Sequence, residues 1–298
     1  MSTAVAHRSL DHEPRDEATF KPEPRSKSGP IYRDIREYLA ELDRRELLIH
    51  VKRLMNKDTE VMPLVRWQFR GLDQSQRKGW LFENLTDSRG RKFDGSVAVG
   101  IGGASPQVYA AAMGLESPKG VGAKWLSAMT NPIEPVEVAR DRAPVKEVVI
   151  NGSDIVKSGG IDQFPVTVTN PGTDVSAYFS APIWITRDPK TGVYNAGTYR
   201  VMVKAADRAG VMMLTGQKSR LHWEKARALG RPLEAVLCLS VVPAITRSTS
   251  ISTSPSGATI TSSANGMFAC RRHRPRSRRR KTRRRRPRLR QQRTTTLR

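Results

Sequence analysis

The stretch Ile185-Thr186-Arg187-Asp188-Pro189-Lys190-Thr191-Gly192-Val193-Tyr194-Asn195-Ala196-Gly197-Thr198-Tyr199-Arg200 decides how this chain is read. Residues 182–187 are rich in β-branched and aromatic side chains. Residues 188–192 place Pro and Gly as a tight turn needs them, and residues 193–204 then return antiparallel. A second reversal at 205–210, a strand at 211–215 and a helix at 219–229 stopped by Gly230 follow. Residues 235–242 form a continuous apolar run, read as a strand buried on both faces. The region from 181 onward is thus a β meander with one helix.

Upstream the periodicity differs. Ile35, Tyr38, Leu39 and Leu42 follow the i, i+3, i+4, i+7 spacing of an amphipathic helix that begins at 31, with Pro30 at its entry. A strand at 47–51 and a helix opened by Asp58 or Thr59 come next. Strands at 80–85 and 96–101, a helix at 106–113 and a strand at 145–150 complete the segment. Trp67, Trp80 and Trp184 read as core residues, and Gly100-Ile101-Gly102-Gly103-Ala104 as a strand-to-helix turn that fails both phosphate-loop fingerprints. His50 and His222 have no partner at ligand spacing. The class is α+β: an N-terminal α/β lobe over 30–150, then a β-rich lobe over 151–245.

The ends differ from this body. The formal net charge is +24, yet residues 271–298 hold 16 of the 52 Lys and Arg and no acid, leaving 36 basic against 28 acidic residues before them. Residues 246–261 are mostly Ser, Thr, Gly and Ala, so 246–298 cannot bury enough apolar surface to offset its ordering entropy and reads as disordered. The charged lead, 1–29, reads the same way and is neither a signal peptide nor an anchor. No run approaches about 18 apolar residues, so a transmembrane helix is not expected. Cys238 and Cys270 build no disulfide framework or zinc site, which suits a reducing, cytoplasmic setting.

The hairpin at 185–200 resembles the signature of UbiD-type decarboxylases, in which a Thr-Arg-Asp-Pro turn leads into an Asn-x-Gly-x-x-Arg strand. The resemblance extends from about Ile31, through Phe82-Glu83-Asn84, to Pro243. It implies a split β-barrel of the flavin-binding type for 151–245. It also implies prenylated FMN as cofactor, delivered by a flavin prenyltransferase, with a divalent ion, manganese or alternatively potassium. The substrate would be an aromatic or unsaturated carboxylic acid: the prenylated hydroxybenzoate of the ubiquinone pathway, or a phenolic acid such as vanillate or gallate.

Carried over residue by residue, Asn195 takes the place of the metal-binding asparagine. Thr198, Tyr199 and Arg200 take cofactor-contacting positions, Arg200 also being the catalytic arginine that pairs with the substrate carboxylate. Met212, Met213 and Leu214 fall on a cofactor-lining strand, with Gln217 and Lys218 beside it. A metal-binding His is expected near Lys218, and His222 stands four residues too late. The chemistry suits these roles: a hard ion accepts an amide oxygen, an Arg fork matches a carboxylate, and decarboxylation needs an electron sink that no side chain provides. On pattern alone Asn195 has a second reading as a turn or bulge residue, while Arg200 in a strand is usually a solvated face and Met212 and Met213 are more often core filler.

Asn195 and Arg200 are five positions apart, so a regular strand points them to opposite faces; a bulge near Gly197 is expected to bring them together. No Asp or Glu follows Glu234. The acidic metal ligand, the catalytic acid and the assembly domain through which relatives form homo-oligomers are therefore expected to be missing, the tail having the composition of a shifted reading frame. The chain is then an inactive copy. The alternatives are a non-catalytic flavin-binding remnant and a protein that binds nucleic acid nonspecifically through its Arg-rich tail.

Overall fold

The computed structural model describes residues 32–130 and 138–243, together with two short strands beyond them, Met267–Ala269 and Thr295–Leu297. Helix α1 (Ile35–Arg44) opens on Asp34, whose carboxylate accepts the Arg36 and Glu37 amides. The expected entry at Pro30 lies outside the described residues. Tyr38 and Leu42 are fully buried by α1 and pack with Leu48, Val108 and Ala111. The Tyr38 hydroxyl donates to the Ile101 carbonyl at 2.5 Å, so this large ring is buried without orphaning its polar end.

Two small three-stranded sheets follow. Strand β1 (Leu48–Val51) pairs parallel with β3 (Gly79–Phe82), which pairs antiparallel with β6 (Val97–Val99). Strand β2 (Met55–Asn56) pairs with β4 (Leu85–Thr86), and β4 with β5 (Lys92–Phe93). Helix α2 (Val61–Gly71) packs Val61 and Val65 against Met55, Phe82 and Leu85. Neither Asp58 nor Thr59 caps it: Asp58 is engaged by Lys57 and by the Ser88 amide, and Glu60 occupies the cap position with its carboxylate turned to the Asn56 amide instead of the helix amides. Gly100, at φ +74°, turns the chain toward Ser105, which caps α3 (Pro106–Ala112) through the Val108 amide. Helix α4 (Val121–Thr130) completes this part.

Two further expectations for this region are overturned. Trp67 is 78% exposed on the outer side of α2, because the inner face is already filled by Val61, Val65 and Gln68. Residues 145–150 are not a strand: a short turn at Pro144–Lys146 precedes an exposed run in which Val148 is 75% exposed. β-branched residues favour a strand only where a pairing edge and a packed face receive them.

After the short helix α5 (Asp154–Lys157), residues 178–238 build two antiparallel sheets. One has the order β13 (Met267–Ala269), β12 (Ala235–Cys238), β8 (Ile183–Arg187), β9 (Tyr194–Thr198). The other has the order β14 (Thr295–Leu297), β11 (Arg208–Val211), β10 (Val201–Ala205), β7 (Tyr178–Phe179). Strand β8 is buried on both faces, with Ile183 and Ile185 meeting Ala196, Cys238 and Val241, and Trp184 meeting Val201 and Val211. Among the described residues the expected split barrel does not close, since the ladders stop at β9 and at β7 with no strand joining them. Strand β12 ends at Cys238, short of the expected 242, where Ser240 turns the chain at φ +53°. Strands β13 and β14 are pieces of the tail expected to be without structure; a sheet edge offers unpaired N–H and C=O groups to any segment nearby.

Candidate functional site

Asp188 shapes the hairpin turn. Its Oδ1 accepts the Lys190 amide at 2.8 Å and the Thr191 amide at 3.2 Å, while Oδ2 takes the Lys225 ammonium of helix α6 (Lys218–Ala228). Burial alone works to raise the Asp188 carboxyl, but the Lys225 ammonium and the two turn amides overturn this and hold it well below the usual carboxylate range. The turn therefore ties the β8–β9 hairpin to α6.

The ladder across the hairpin runs without interruption, with Arg187 opposite Tyr194, Thr186 opposite Asn195, Ile185 opposite Ala196, Trp184 opposite Gly197 and Ile183 opposite Thr198. The bulge expected at Gly197 is thus absent. The regular pairing ends at Thr198, and the chain changes sheets across Tyr199-Arg200 before β10 begins at Val201. Absence of a Cβ at Gly197 serves a different purpose: one placed there would lie 2.6 Å from the Tyr199 ring, which folds back over the strand. Trp184 Nε1 donates to the Tyr199 carbonyl at 3.2 Å and pins the corner.

Asn195 is buried, and its Nδ2 donates to Ser219 Oγ at 3.0 Å. Ser219 Oγ lies 3.4 Å from Thr186 Oγ1, which is 3.0 Å from His222 Nδ1. His222 Nε2 faces Asp188 Oδ2 at 3.8 Å. Burial pushes the imidazole below its usual range; Asp188 opposes this, and Lys225 and Lys218 add to it. Sequence spacing alone set His222 apart from the site. The helix brings it back, because Ser219 and His222, three positions apart, share its buried face.

Arg200 lies in a second group. Its Nη2 is 2.6 Å from Asp174 Oδ2, and its guanidinium stands 4.1 Å from the Tyr178 ring centroid. Asp174 also accepts the Asn170 amide at 2.9 Å, and Asn170 Oδ1 in turn accepts from Arg66. Nothing in the sequence pattern marked Asp174 or Ser219, and Thr186 entered only as the first residue of the turn signature. Of the remaining expected site residues, Thr198, Lys218, Met212 and Leu214 are exposed, and Met213 packs beside Trp184 and Val201. The strand expected at 211–215 ends at Val211; Gln217 Oε1 accepts the Leu214 amide at 2.7 Å and closes the loop before α6.

A divalent ion takes about six or more oxygen ligands, usually with carboxylates among them. Among the described residues no three His, Cys, Asp or Glu side chains come together to hold one, and Asn195 donates to the Ser219 hydroxyl, from which a line of contacts runs through Thr186 to His222. These residues do not by themselves fit the metal. A cleft of about 410 Å³ lies elsewhere, lined by Val97, Ile101, Phe164, Tyr178, Phe179 and Val241, and none of the expected site residues borders it. No helix among the described residues is long and apolar enough to cross a membrane.

Residues 136–266 match the family described as 3-octaprenyl-4-hydroxybenzoate carboxy-lyase Rift-related domain, UbiD. Over this stretch the chain is similar to the UbiD family. It is 29% identical over 224 residues to a phenolic acid decarboxylase of Sedimentibacter hydroxybenzoicus, a match covering 72% of this chain and 44% of that one. Its fold resembles the vanillic acid decarboxylase of the same organism in closed form, with TM-score 0.61 and 27% identity over 73% of this chain and 44% of that one. It also resembles an evolved dimeric form of the UbiD-class enzyme HmfF from Pelotomaculum thermopropionicum in complex with prFMN, with TM-score 0.60 and 29% identity over 72% and 45%. The chain thus spans less than half the length of these UbiD-class relatives.

Proposed function

We propose that this chain supplies the carboxylate-facing part of a UbiD-type decarboxylase acting on aromatic or unsaturated carboxylic acids, with prenylated FMN as cofactor. The observation that carries the reading is Arg200. It stands exposed at the corner between two sheets, with its guanidinium braced by Asp174 and stacked on Tyr178. Stacking on Tyr178 fixes the plane of the fork, which would take a planar carboxylate in exchange for Asp174.

The flavin, supplied by a prenyltransferase, would provide the electron sink that decarboxylation requires. Thr198, Tyr199, Met212, Met213 and Leu214 would hold its rings, and Lys218 its phosphate, with Gln217 bracing the loop. Arg200 would orient the substrate anion. Return of a proton calls for a positioned acid, typically worth about 10²–10⁴ in rate, and residues 235–298 contain no Asp or Glu. The 298-residue chain is therefore expected to bind flavin weakly and to release no carbon dioxide. The preferred acid is of the phenolic kind, as in the relative from S. hydroxybenzoicus.

The test is a titration of the purified chain with prenylated FMN, with and without manganese, followed by flavin absorbance. A carbon dioxide assay across phenolic and acrylic acids accompanies it. Saturable flavin binding that weakens in Lys218→Ala and Thr198→Ala, without turnover, supports the reading. Turnover by the unmodified chain, or flavin binding indifferent to both substitutions, overturns it.

A further inference from the structure

Four buried polar side chains from three elements form one line. Asn195 of β9 is 4% exposed, Thr186 of β8 1%, and Ser219 and His222 of α6 0% and 7%. We infer that Thr186 and Ser219 hold the Asn195 amide in one orientation through a hydrogen-bond relay ending on the His222 ring, which makes His222 a positioning residue for the Asn195 oxygen. The inference goes beyond the reading above, which assigns Asn195 no part, and it stands on the buried contacts of the chain alone.

The direction of the relay follows from what each group can donate. An amide nitrogen only donates, so with Nδ2 on Ser219 Oγ the serine hydroxyl accepts and passes its own proton to Thr186 Oγ1. In the arrangement we infer, Thr186 donates to a bare His222 Nδ1, leaving the ring proton on Nε2 facing Asp188. Every member is satisfied, and the Asn195 oxygen is turned away from Ser219. If His222 gains a second proton, Nδ1 becomes a donor and each hydroxyl reverses. Ser219 then accepts from Thr186, and its own proton is released to turn toward Asn195, which receives it by exchanging the amide oxygen for the nitrogen.

The charges that face His222 are Asp188 from the hairpin turn and Lys218 and Lys225 from its own helix. Asp188 favours the charged ring, the two lysines and burial the neutral one. The neutral ring, and with it the outward oxygen, is the resting state.

The experiment is nuclear magnetic resonance on the full chain labelled with ¹⁵N at Asn and His, without cofactor, so that its outcome is independent of flavin binding. Near neutral pH, His222 Nδ1 should show the shift of an unprotonated nitrogen, and the Asn195 amide protons should show contacts to the Ser219 β-protons. On acidification the Asn195 amide signals should move with the same midpoint as His222. Thr186→Val should abolish this shared movement and weaken the Asn195–Ser219 contact already at neutral pH, whereas Thr186→Ser should retain both. A neutral His222 carrying its proton on Nδ1 overturns the relay. So does an Asn195 amide that ignores His222 protonation, or that follows it equally in Thr186→Val. If acid unfolds the chain before His222 titrates, the neutral-pH tautomer and the Thr186→Val contact decide. Failure of flavin binding with an intact relay would overturn the functional reading alone.

Discussion

The guanidinium of Arg200 and the carboxylate of Asp174 meet at 2.6 Å, so the arginine expected to receive a substrate carboxylate already holds one from its own chain. Asp174 is the more buried partner. Burial works to raise its carboxyl, but Arg200 and the Asn170 amide reverse this and leave it below the usual range. An incoming carboxylate therefore competes with Asp174 for one cation.

Asp174→Asn should relieve that competition while keeping an acceptor for the Asn170 amide. A partly exposed pair of this kind is worth up to about 1 kcal/mol, so benzoate should bind about five-fold more tightly. Stability should fall by a similar energy. Calorimetric titration with benzoate checks the first effect and urea denaturation the second. Weaker anion binding would show that Asp174 orients Arg200 rather than rivals the substrate.

Asp188 controls the acid limb of stability. Its folded carboxyl titrates well below the ordinary value, so its contribution is complete above the unfolded carboxylate pKa, about 3.9, and is lost as pH falls through the folded one. Asp188→Ala near neutral pH should cost about 1–3 kcal/mol, because two turn amides and the Lys225 ammonium lose their partner. Urea unfolding of the two proteins between neutral and strongly acidic pH should converge at the acid end. A constant offset at every pH would show that the turn geometry, not the charge, carries the effect.

His50 acts in the opposite sense. Its Nδ1 lies 2.6 Å from Glu83 Oε1 and its Nε2 3.1 Å from Asp43 Oδ1. The Glu83 hydrogen bond raises its pKa, burial opposes this, and the Asp43 hydrogen bond adds to the rise. A raised folded pKa means that the stabilisation is complete below the unfolded value of about 6.5 and disappears as pH rises through the folded one. His50→Gln should therefore be less stable than the parent at mildly acidic pH, by less than about 1 kcal/mol for so accessible a group. The difference should vanish in alkaline buffer; a difference that grows with pH would refute the assignment.

Gly160 locks the segment ahead of the two larger sheets onto the β10–β11 turn. It sits at φ +50°, a Cβ there would fall 2.0 Å from the Ala206 carbonyl oxygen, and the Ile161 amide donates to that same oxygen at 2.8 Å. Backbone rather than a movable side chain blocks the space. Gly160→Ala should cost about 3 kcal/mol or more, visible as a lowered melting temperature. Gly172→Ala meets nothing within contact distance and should cost less, through its positive φ alone.

Where the interactions are local, the sequence determined the outcome. The Asp188–Gly192 turn, the Tyr38 and Leu42 face of α1, the Gly100 turn into α3 and the stop of α6 at Gly230 each depend on residues within a turn or two of one another. The Asn-to-Arg spacing likewise sufficed to recognise the family. Tertiary structure alone decided the rest. Local pattern does not say which edge receives a strand, so residues 145–150 remained unpaired, and the chain left its sheet at Tyr199-Arg200 rather than bulging at Gly197. Nor does spacing along the chain reveal that α6 lays Ser219 and His222 over Thr186, opposite Asn195, or that Asp174 meets Arg200. The physical reason is common to these cases: hydrogen-bond partners for buried polar groups are chosen across the packed interior, among residues that the linear order keeps far apart.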